Sequence, residues 1–420
     1  MEKENQMPGM TLEVVARACE GTYVGTDADR TRIITGVVRD NRDVEEGNLF
    51  VAIEGERVDG HRFVGDAFAR GACAALVQKE PQEKEQPYIL VNSTTEAMKK
   101  LAAWYRRSLD IRVVGITGSV GKTSTKEMIA SVLAQKYSVL KTDGNYNNEI
   151  GLPLTIFRIR GEHQVAVLEM GISDFGEMHR LSEMAHPDIC VITNIGLCHL
   201  ENLGTREGIL NAKTECFEHM AENGTVILNG DDDMLCTKKE VNGKPVLYYG
   251  IDHEAKLSSE GRSMAAKSVY ATDIVNLGFE GMELSVHTPA GVFDALIPIP
   301  GEHNVYNALA ATAVGLELGL SLGEIRQGIA SVKTIAGRTN VLDINGMKVI
   351  DDCYNANPVS MKASLEVLSH AKGRSIAVLG DMGELGEDER KLHREVGVRA
   401  GQLGISTVFA AGTLAEEYVK

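Results

Sequence analysis

Residues 113–133 read VVGITGSVGKTSTKEMIASVL. An apolar run passes into a glycine-rich loop, then Gly-Lys-Thr, then a helical pattern, and these are the parts of a phosphate cradle. Backbone amides from Gly118 to Lys122 can converge on an anion and Lys122 supplies a point charge. The Thr123 hydroxyl can reach a Mg²⁺, and the helix amino terminus adds its dipole. The common loop GxxxxGK[ST] would place its first glycine at position 116, which is Ile116; the glycines fall instead at Gly115, Gly118 and Gly121. The pattern points to ATP or GTP through a loop of another sub-type, and is silent on the chemistry.

Other residues able to do chemistry lie downstream. Glu169 closes the apolar run HQVAVLE, and His199 stands just beyond ICVITNIGLC. A carboxylate and an imidazole at neighbouring strand ends could hold a divalent ion beside a triphosphate, although a lone glutamate at a strand end is more often simply solvated. Lys213, in GILNAKTECF, falls on a helical pattern and would ordinarily be a surface lysine. Asn304 and Asn307 open the helical stretch EHNVYNALAATAVGLELG, where a helix cap is the plain reading. Two apparent signatures fail. SDFGEMH carries the Asp-Phe-Gly of protein kinases, but Glu54 in FVAIEG stands where the kinase lysine is required and no His-Arg-Asp lies upstream. The guanine signature Asn-Lys-x-Asp is absent.

The elements that must position these residues read as α/β throughout, in three domains. Residues 1–92 carry the short apolar runs RIITGVV, GNLFVAI and GACAALV, with the helical HRFVGDAFARG between the last two and a charged surface loop, QKEPQEKEQP, near the end. Residues 93–333 form a central unit. It opens with a helix in which Ser93 can cap, Glu96 sits three residues on, and Met98, Leu101 and Ala102 keep helical spacing. Buried parallel strands follow in HQVAVLEMG, PDICVITNIG and GTVILNGDD, the kind whose carboxyl ends carry ligands. A weaker β-like patch spans SVYATDIVNL and MELSVHT. Residues 334–420 form a third, Rossmann-like α/β unit from MKVIDDCYNANP, SIAVLGDMGELG and TVFAAG.

Composition narrows the partners. The net charge of −16, from 43 basic and 59 acidic residues, repels nucleic acid and anionic membranes, so an anionic ligand must be held by local cations, metal ions or amides. Aromatic residues at 5% argue against base-stacking platforms. Seven cysteines without a CxxC pair fit reduced thiols in a cytoplasmic protein, and neither a signal core nor a bilayer-length apolar run is present.

In order and spacing these pieces resemble the Mur ligase superfamily of ATP-dependent amide ligases. Thr117-Gly118-Ser119-Val120-Gly121-Lys122-Thr123 matches its TGxxGKT loop, which accounts for the displaced glycines. Three blocks, GNYNNEIGLP, EMGISDFGEMHRL and DDCYNANPVSM, are similar to the branch that adds a D-alanyl-D-alanine dipeptide to UDP-N-acetylmuramoyl-tripeptide. Arg42, Gly47, Phe50, Gly55 and Asp59-Gly60-His61 resemble the family's uridine-nucleotide domain.

The resemblance implies the following roles. Thr117 to Thr123 bind ATP, with Lys122 on the β/γ-phosphates; Thr123, Glu169, His199 and a carbamylated Lys213 hold two Mg²⁺ ions. Asn304 contacts adenine, while Arg338 and Asp351 close over the phosphates and ribose. Lys122, Lys213, His199 and Arg338 form the catalytic set. Asn41 and Arg42, Asn147 and Asn148, and Tyr354, Asn355 and Asn357 contact the substrates. The implied activity is phosphorylation of a peptide carboxylate, then attack by the dipeptide amine, in a monomer. Departures are Asn41 where Ser or Thr is usual, Cys198 for a small residue, Cys353 for serine, and no closing Lys-Gly-Ser, so an incomplete third domain is expected. Two other readings stay open: a folate-polyglutamate type of amide ligase, and an inactive nucleotide-binding scaffold. The joint presence of Lys122, Glu169, His199 and Lys213 argues against the scaffold.

Overall fold

A computed structural model describes residues 6–82, 85–251 and 268–420. The three apolar runs of the first unit each supply a short strand, Gly36–Val38, Asn48–Val51 and Ala74–Val77, which pair in parallel in that order, the last also pairing in parallel with Tyr88–Leu90. Thr22–Val24 adds an antiparallel edge to this five-stranded sheet. HRFVGDAFARG splits into a 3-10 turn, Gly60–Phe63, and a helix, Val64–Ala69, with Asp59 capping the turn through the His61 amide. Of QKEPQEKEQP, residues 83 and 84 lie outside the described residues, as do 1–5 of the chain's opening.

The central sheet has nine strands. Val139–Lys141, Val165–Glu169, Arg112–Thr117, Ile189–Ile192, Thr225–Asn229, Leu247–Ile251 and Val269–Asn276 run parallel in that spatial order. Met282–Thr288 and Gly291–Ile297 continue it antiparallel, so the weaker β-like patch is the sheet's outer flank. Period-two alternation sends successive side chains to opposite faces. Val114, Ile116, Val165 and Val167 face the phosphate-loop helix Lys122–Leu133 together with His303–Glu317 and Leu322–Ala330. Val113, Ala166 and Leu168 face the helices Thr94–Ser108, Gly151–Ile156, Glu177–Ala185 and Arg206–Thr214. Both faces are covered, which is why these strands read as continuous apolar runs.

Helix Thr94–Ser108 is capped by Ser93, whose side chain accepts from the Glu96 amide. Its Met98 and Leu101 are fully buried, worth about 1.5–3 kcal/mol each. They lie in a core that also holds Leu12, Leu49 and Leu76 of the first unit and Leu168 and Leu181 of the central one, so the two units share apolar packing.

In the third unit, MKVIDD does not join the parallel pair. Strand Met347–Asp351 folds back on Asn340–Ile344 as an antiparallel hairpin. Asn345 and Gly346 at its tip have φ of 53° and 79°, the left-handed pair that a two-residue hairpin turn of this hand requires. Beyond it, helix Pro358–Ser369 precedes two parallel strands, Ile376–Gly380 and Thr407–Ala411, connected through helix Glu389–Gln402 around a separate small core. Among the described residues no helix is long and apolar enough to cross a membrane.

Candidate nucleotide and metal site

Strand Arg112–Thr117 lies inside the central sheet, and the glycine loop leaves its carboxyl end. Gly118 has φ 146°, and a Cβ there would meet the Thr193 hydroxyl oxygen at 2.0 Å, so no larger residue fits. Gly121, φ 84°, turns the chain into the helix whose first residues are Lys122 and Thr123. The loop is held from the side by the end of strand Ile189–Ile192. Asn194 accepts from the Val120 amide at 3.0 Å and donates to the Val120 carbonyl at 2.9 Å. The Thr193 hydroxyl donates to the same carbonyl at 2.6 Å, and Ser119 Oγ accepts from the Gly196 amide at 2.9 Å. The Lys122 ammonium donates to the Gly118 carbonyl at 2.9 Å, folded over the loop.

Glu169 ends the adjacent strand, with Ile116 as its register partner. It is 2% exposed; Oε1 accepts from Asn147 Nδ2 at 2.8 Å, while Oε2 has no hydrogen-bond partner. Lys126, equally buried, donates to the Thr142 carbonyl at 2.6 Å and stands 4.0 Å from Glu169 Oε2. The Thr117 hydroxyl is likewise buried without a partner, and so is the Lys213 Nζ. Far from being a surface lysine, Lys213 is 1% exposed. Burial, then the charge of Lys122, pushes its pKa down to about 7. Cys198, His199 and Lys122 lie within electrostatic reach of it.

Buried polar atoms left unpaired cost stability and call for an explanation. A free carboxylate oxygen and a free hydroxyl beside a phosphate loop suit a hard divalent cation such as Mg²⁺. The donor set therefore fits the metal, and it would gain a second carboxylate if Lys213 carried one.

His199 has a left-handed backbone, φ 58°, at the start of the short helix Leu200–Leu203. Burial lowers its pKa, and Glu384 of the third unit opposes that shift from 2.7 Å, carboxylate Oε2 to Nδ1.

The asparagines of helix His303–Glu317 are not caps, because the cap position is Glu302. Asn304, 2% exposed, donates to the Pro300 carbonyl at 2.9 Å and accepts from Asn307 at 2.9 Å. Asn307 in turn accepts from the Thr125 hydroxyl at 2.7 Å, which ties this helix to the phosphate-loop helix. Asn304 and Arg338 line one shallow cleft with Ser124, Glu127 and Met128. Arg338 lies over the Tyr354 ring at 4.2 Å. Asp351 accepts from the Cys353 thiol at 3.0 Å and from the Gly337 amide at 2.8 Å, contacts that hold its carboxyl below the usual range and fix the turn before Arg338.

The remaining substrate candidates are dispersed. Asn41 and Arg42 sit in the 3-10 turn Asn41–Asp43 of the first unit, where exposed Arg42 forks onto Asp40. Asn148 accepts from the Ile150 and Gly151 amides, holding the turn beside Asn147. Asn355 accepts from the Ala356 amide, and Asn357 caps helix Pro358–Ser369 through the Val359 and Ser360 amides. Thr193, Asn194, Lys126 and Glu384 were not legible in the sequence as site residues. Only the helical i, i+4 spacing of Lys126 from Lys122 could have pointed toward one of them.

Three family models match the chain in order: the Mur ligase family catalytic domain over residues 33–108, the Mur ligase middle domain over 116–315, and the Mur ligase glutamate ligase domain over 337–419. The UDP-N-acetylmuramoyl-tripeptide–D-alanyl-D-alanine ligase of Bacillus subtilis is 38% identical over 96% of this chain and 85% of its own. A crystal structure of MurF from Acinetobacter baumannii is 34% identical, with a TM-score of 0.87 over 98% of this chain and 87% of that one. MurF ligase from Thermotoga maritima in complex with ADP is 33% identical, with a TM-score of 0.79 over 91% of this chain and 86% of that one.

Proposed function

The chain belongs to the Mur ligase family, and from that premise we infer that it is an ATP-dependent peptide ligase of peptidoglycan synthesis. It joins D-alanyl-D-alanine to UDP-N-acetylmuramoyl-tripeptide, giving the pentapeptide, ADP and phosphate. The observation that carries this reading is the 38% identity to a ligase of that activity over 96% of the chain.

A carboxylate resists attack because it is anionic and has no leaving group. Transfer of the γ-phosphoryl group makes an acyl phosphate; the dipeptide amine then adds and phosphate leaves. The protein's task is to position three substrates and neutralise charge. The loop amides of Gly118 to Lys122 receive the triphosphate, and Lys122 swings from the Gly118 carbonyl onto it. Thr123, Glu169, His199 and Lys213 are the residues that would hold Mg²⁺. When bound, the metal would neutralise phosphate charge and fix the transferring group.

We assign Lys213 to carbamylation. A neutral buried amine can add to CO₂ with release of one proton, and the product carboxylate would turn a buried nitrogen that has no hydrogen-bond partner into a metal ligand. Asn304 and Arg338 form the walls of the nucleotide cleft, with Asp351 holding Arg338's turn. Asn41 and Arg42 meet the uridine nucleotide, Asn147 and Asn148 lie on the peptide path, and Tyr354 and Asn355 face the dipeptide, with Asn357 fixing the helix behind them. The phosphate loop, Glu169, His199, Lys213, Asn304 and Arg338 all come from one chain, so we take the working unit to be a monomer. Seven free cysteines suit the reducing cytoplasm.

The test is phosphate release with substrates omitted one at a time. Release should require ATP, UDP-N-acetylmuramoyl-tripeptide and D-alanyl-D-alanine together; equal release with a folate-polyglutamate substrate, or none with the full set, would refute the reading.

A further inference from the structure

The third unit reaches His199, one of the proposed metal ligands, through the side chain of Glu384. Strand Ile376–Gly380 ends in the turn Asp381–Gly386, and that turn is anchored on both sides. Asp381 accepts from three backbone amides, of Thr413, Leu414 and Ala415, at 3.0, 3.0 and 2.6 Å. The Met382 amide donates to Nε2 of the buried His393 at 2.9 Å, while His393 Nδ1 donates to the Glu389 carbonyl. Met382 and Leu385 are packed in the third core at 1% and 4% exposure. Between them Glu384 stands out, its side chain 64% exposed and its backbone left-handed at φ 59°. Its carboxylate is 2.7 Å from Nδ1 of His199, itself left-handed at φ 58°. Two left-handed residues meet across two units, and uncommon backbone of this kind persists where the surroundings over-determine it, often at functional sites. Leu197, two residues before His199, packs against the third core and braces the same contact.

A part-exposed carboxylate–imidazole contact contributes little to stability, so holding the fold together is a weak reason for this one. Its chemical consequence is sharper. A carboxylate that accepts from Nδ1–H fixes the tautomer and the plane of the ring, and leaves Nε2 as a lone pair. We propose that Glu384 is a positioning residue for the ligase reaction: the third unit, on docking, orients His199 as a cation ligand, so that the metal end of the site is complete only when that unit is in place. The proposal rests on the reading of His199 given above.

The test compares the wild type, Glu384→Gln, Glu384→Gly, His199→Gln and the double variant Glu384→Gln with His199→Gln in two measurements. One is Mn²⁺ binding, followed by the loss of the free-ion electron paramagnetic resonance signal with a non-hydrolysable ATP analogue present. The other is steady-state kinetics with all three substrates. Glu384→Gln should weaken Mn²⁺ binding about 10-fold and lower kcat about 10- to 100-fold, with KM for the dipeptide within about twofold of wild type. Glycine tolerates φ 59° and keeps the turn, so Glu384→Gly should lose as much as the glutamine variant. In the His199→Gln background, Glu384→Gln should add nothing further. Wild-type Mn²⁺ affinity and kcat in Glu384→Gly would make Glu384 a turn residue and overturn the proposal, as would full additivity with His199→Gln. If the wild type released no phosphate, the ligase reading would fall, and the Mn²⁺ comparison alone would decide the role of Glu384.

Discussion

At the residue scale Lys213 carries the clearest consequence. Its ordinary pKa of 10.5 is pushed down to about 7 by burial and by Lys122. Between those values the unfolded chain binds more protons than the folded one, so this group makes folding more favourable as pH rises. Its contribution is full above 10.5 and lost as pH falls through 7. In CO₂-free buffer the melting temperature should therefore climb across this window more steeply in the wild type than in Lys213→Met. Equal slopes would assign the pH dependence to other groups. As a carbamate the same side chain bears negative charge, so Lys213→Ala should abolish turnover and added short carboxylates should partly restore it. A Lys213→Ala protein of near wild-type activity would remove the carbamate role. None of this could be read from GILNAKTECF, because burial against both sheet and loop is a property of packing and not of the helical pattern around the lysine. Thr193 and Asn194 escaped for a related reason: their hydrogen bonds to Val120 join segments 73 and 74 residues apart.

At the element scale the loop Thr117–Gly121 is shaped by its neighbour strand as much as by its own sequence. Gly118→Ala would drive a methyl group into Thr193 Oγ1 at 2.0 Å and impose φ 146° on an alanine. The expected result is a loss of about 1–3 kcal/mol and no thermal shift on adding an ATP analogue with Mg²⁺. A normal shift would mean that the loop can re-form around the methyl. Asn357 gives a milder case. Its capping box on helix Pro358–Ser369 predicts about 1 kcal/mol lost in Asn357→Ala and little in Asn357→Asp. If Asn357→Asp keeps stability but loses KM for the dipeptide, the amide also touches substrate. The parallel strands were legible because runs buried on both faces are continuously apolar. The hairpin Asn340–Ile344 with Met347–Asp351 was not, since a short alternating run does not say which sheet it joins.

At the scale of the whole molecule the distribution of apolar packing decides how the units respond to one another. Helix Thr94–Ser108 places Met98, Leu101 and Tyr105 in a core that runs from Leu12 of the first unit to Leu181 of the central one, whereas the third unit closes its own core around Leu365, Val396 and Tyr418. The first two units should therefore unfold together and the third apart from them. Calorimetry of the ligand-free protein is expected to show two transitions, the lower belonging to the smaller third core. The proposed nucleotide cleft is walled by Asn304 from the central unit and by Arg338 at the start of the third, so a ligand there would be held by both. A ligand that binds only the folded state adds about 2.7 kcal/mol at 100 times its Kd, and one that spans two units adds it to both. An ATP analogue with Mg²⁺ should thus raise both transitions and draw them together in the wild type. In Arg338→Ala it should raise the larger one and leave the smaller nearly where it was. The same substitution should lower kcat far more than it weakens ATP binding, because its charge matters most when the third unit is in place and phosphoryl charge develops. If both transitions still rise together in Arg338→Ala, or if kcat and ATP affinity fall by the same factor, Arg338 is a ground-state ligand and the coupling between units runs elsewhere.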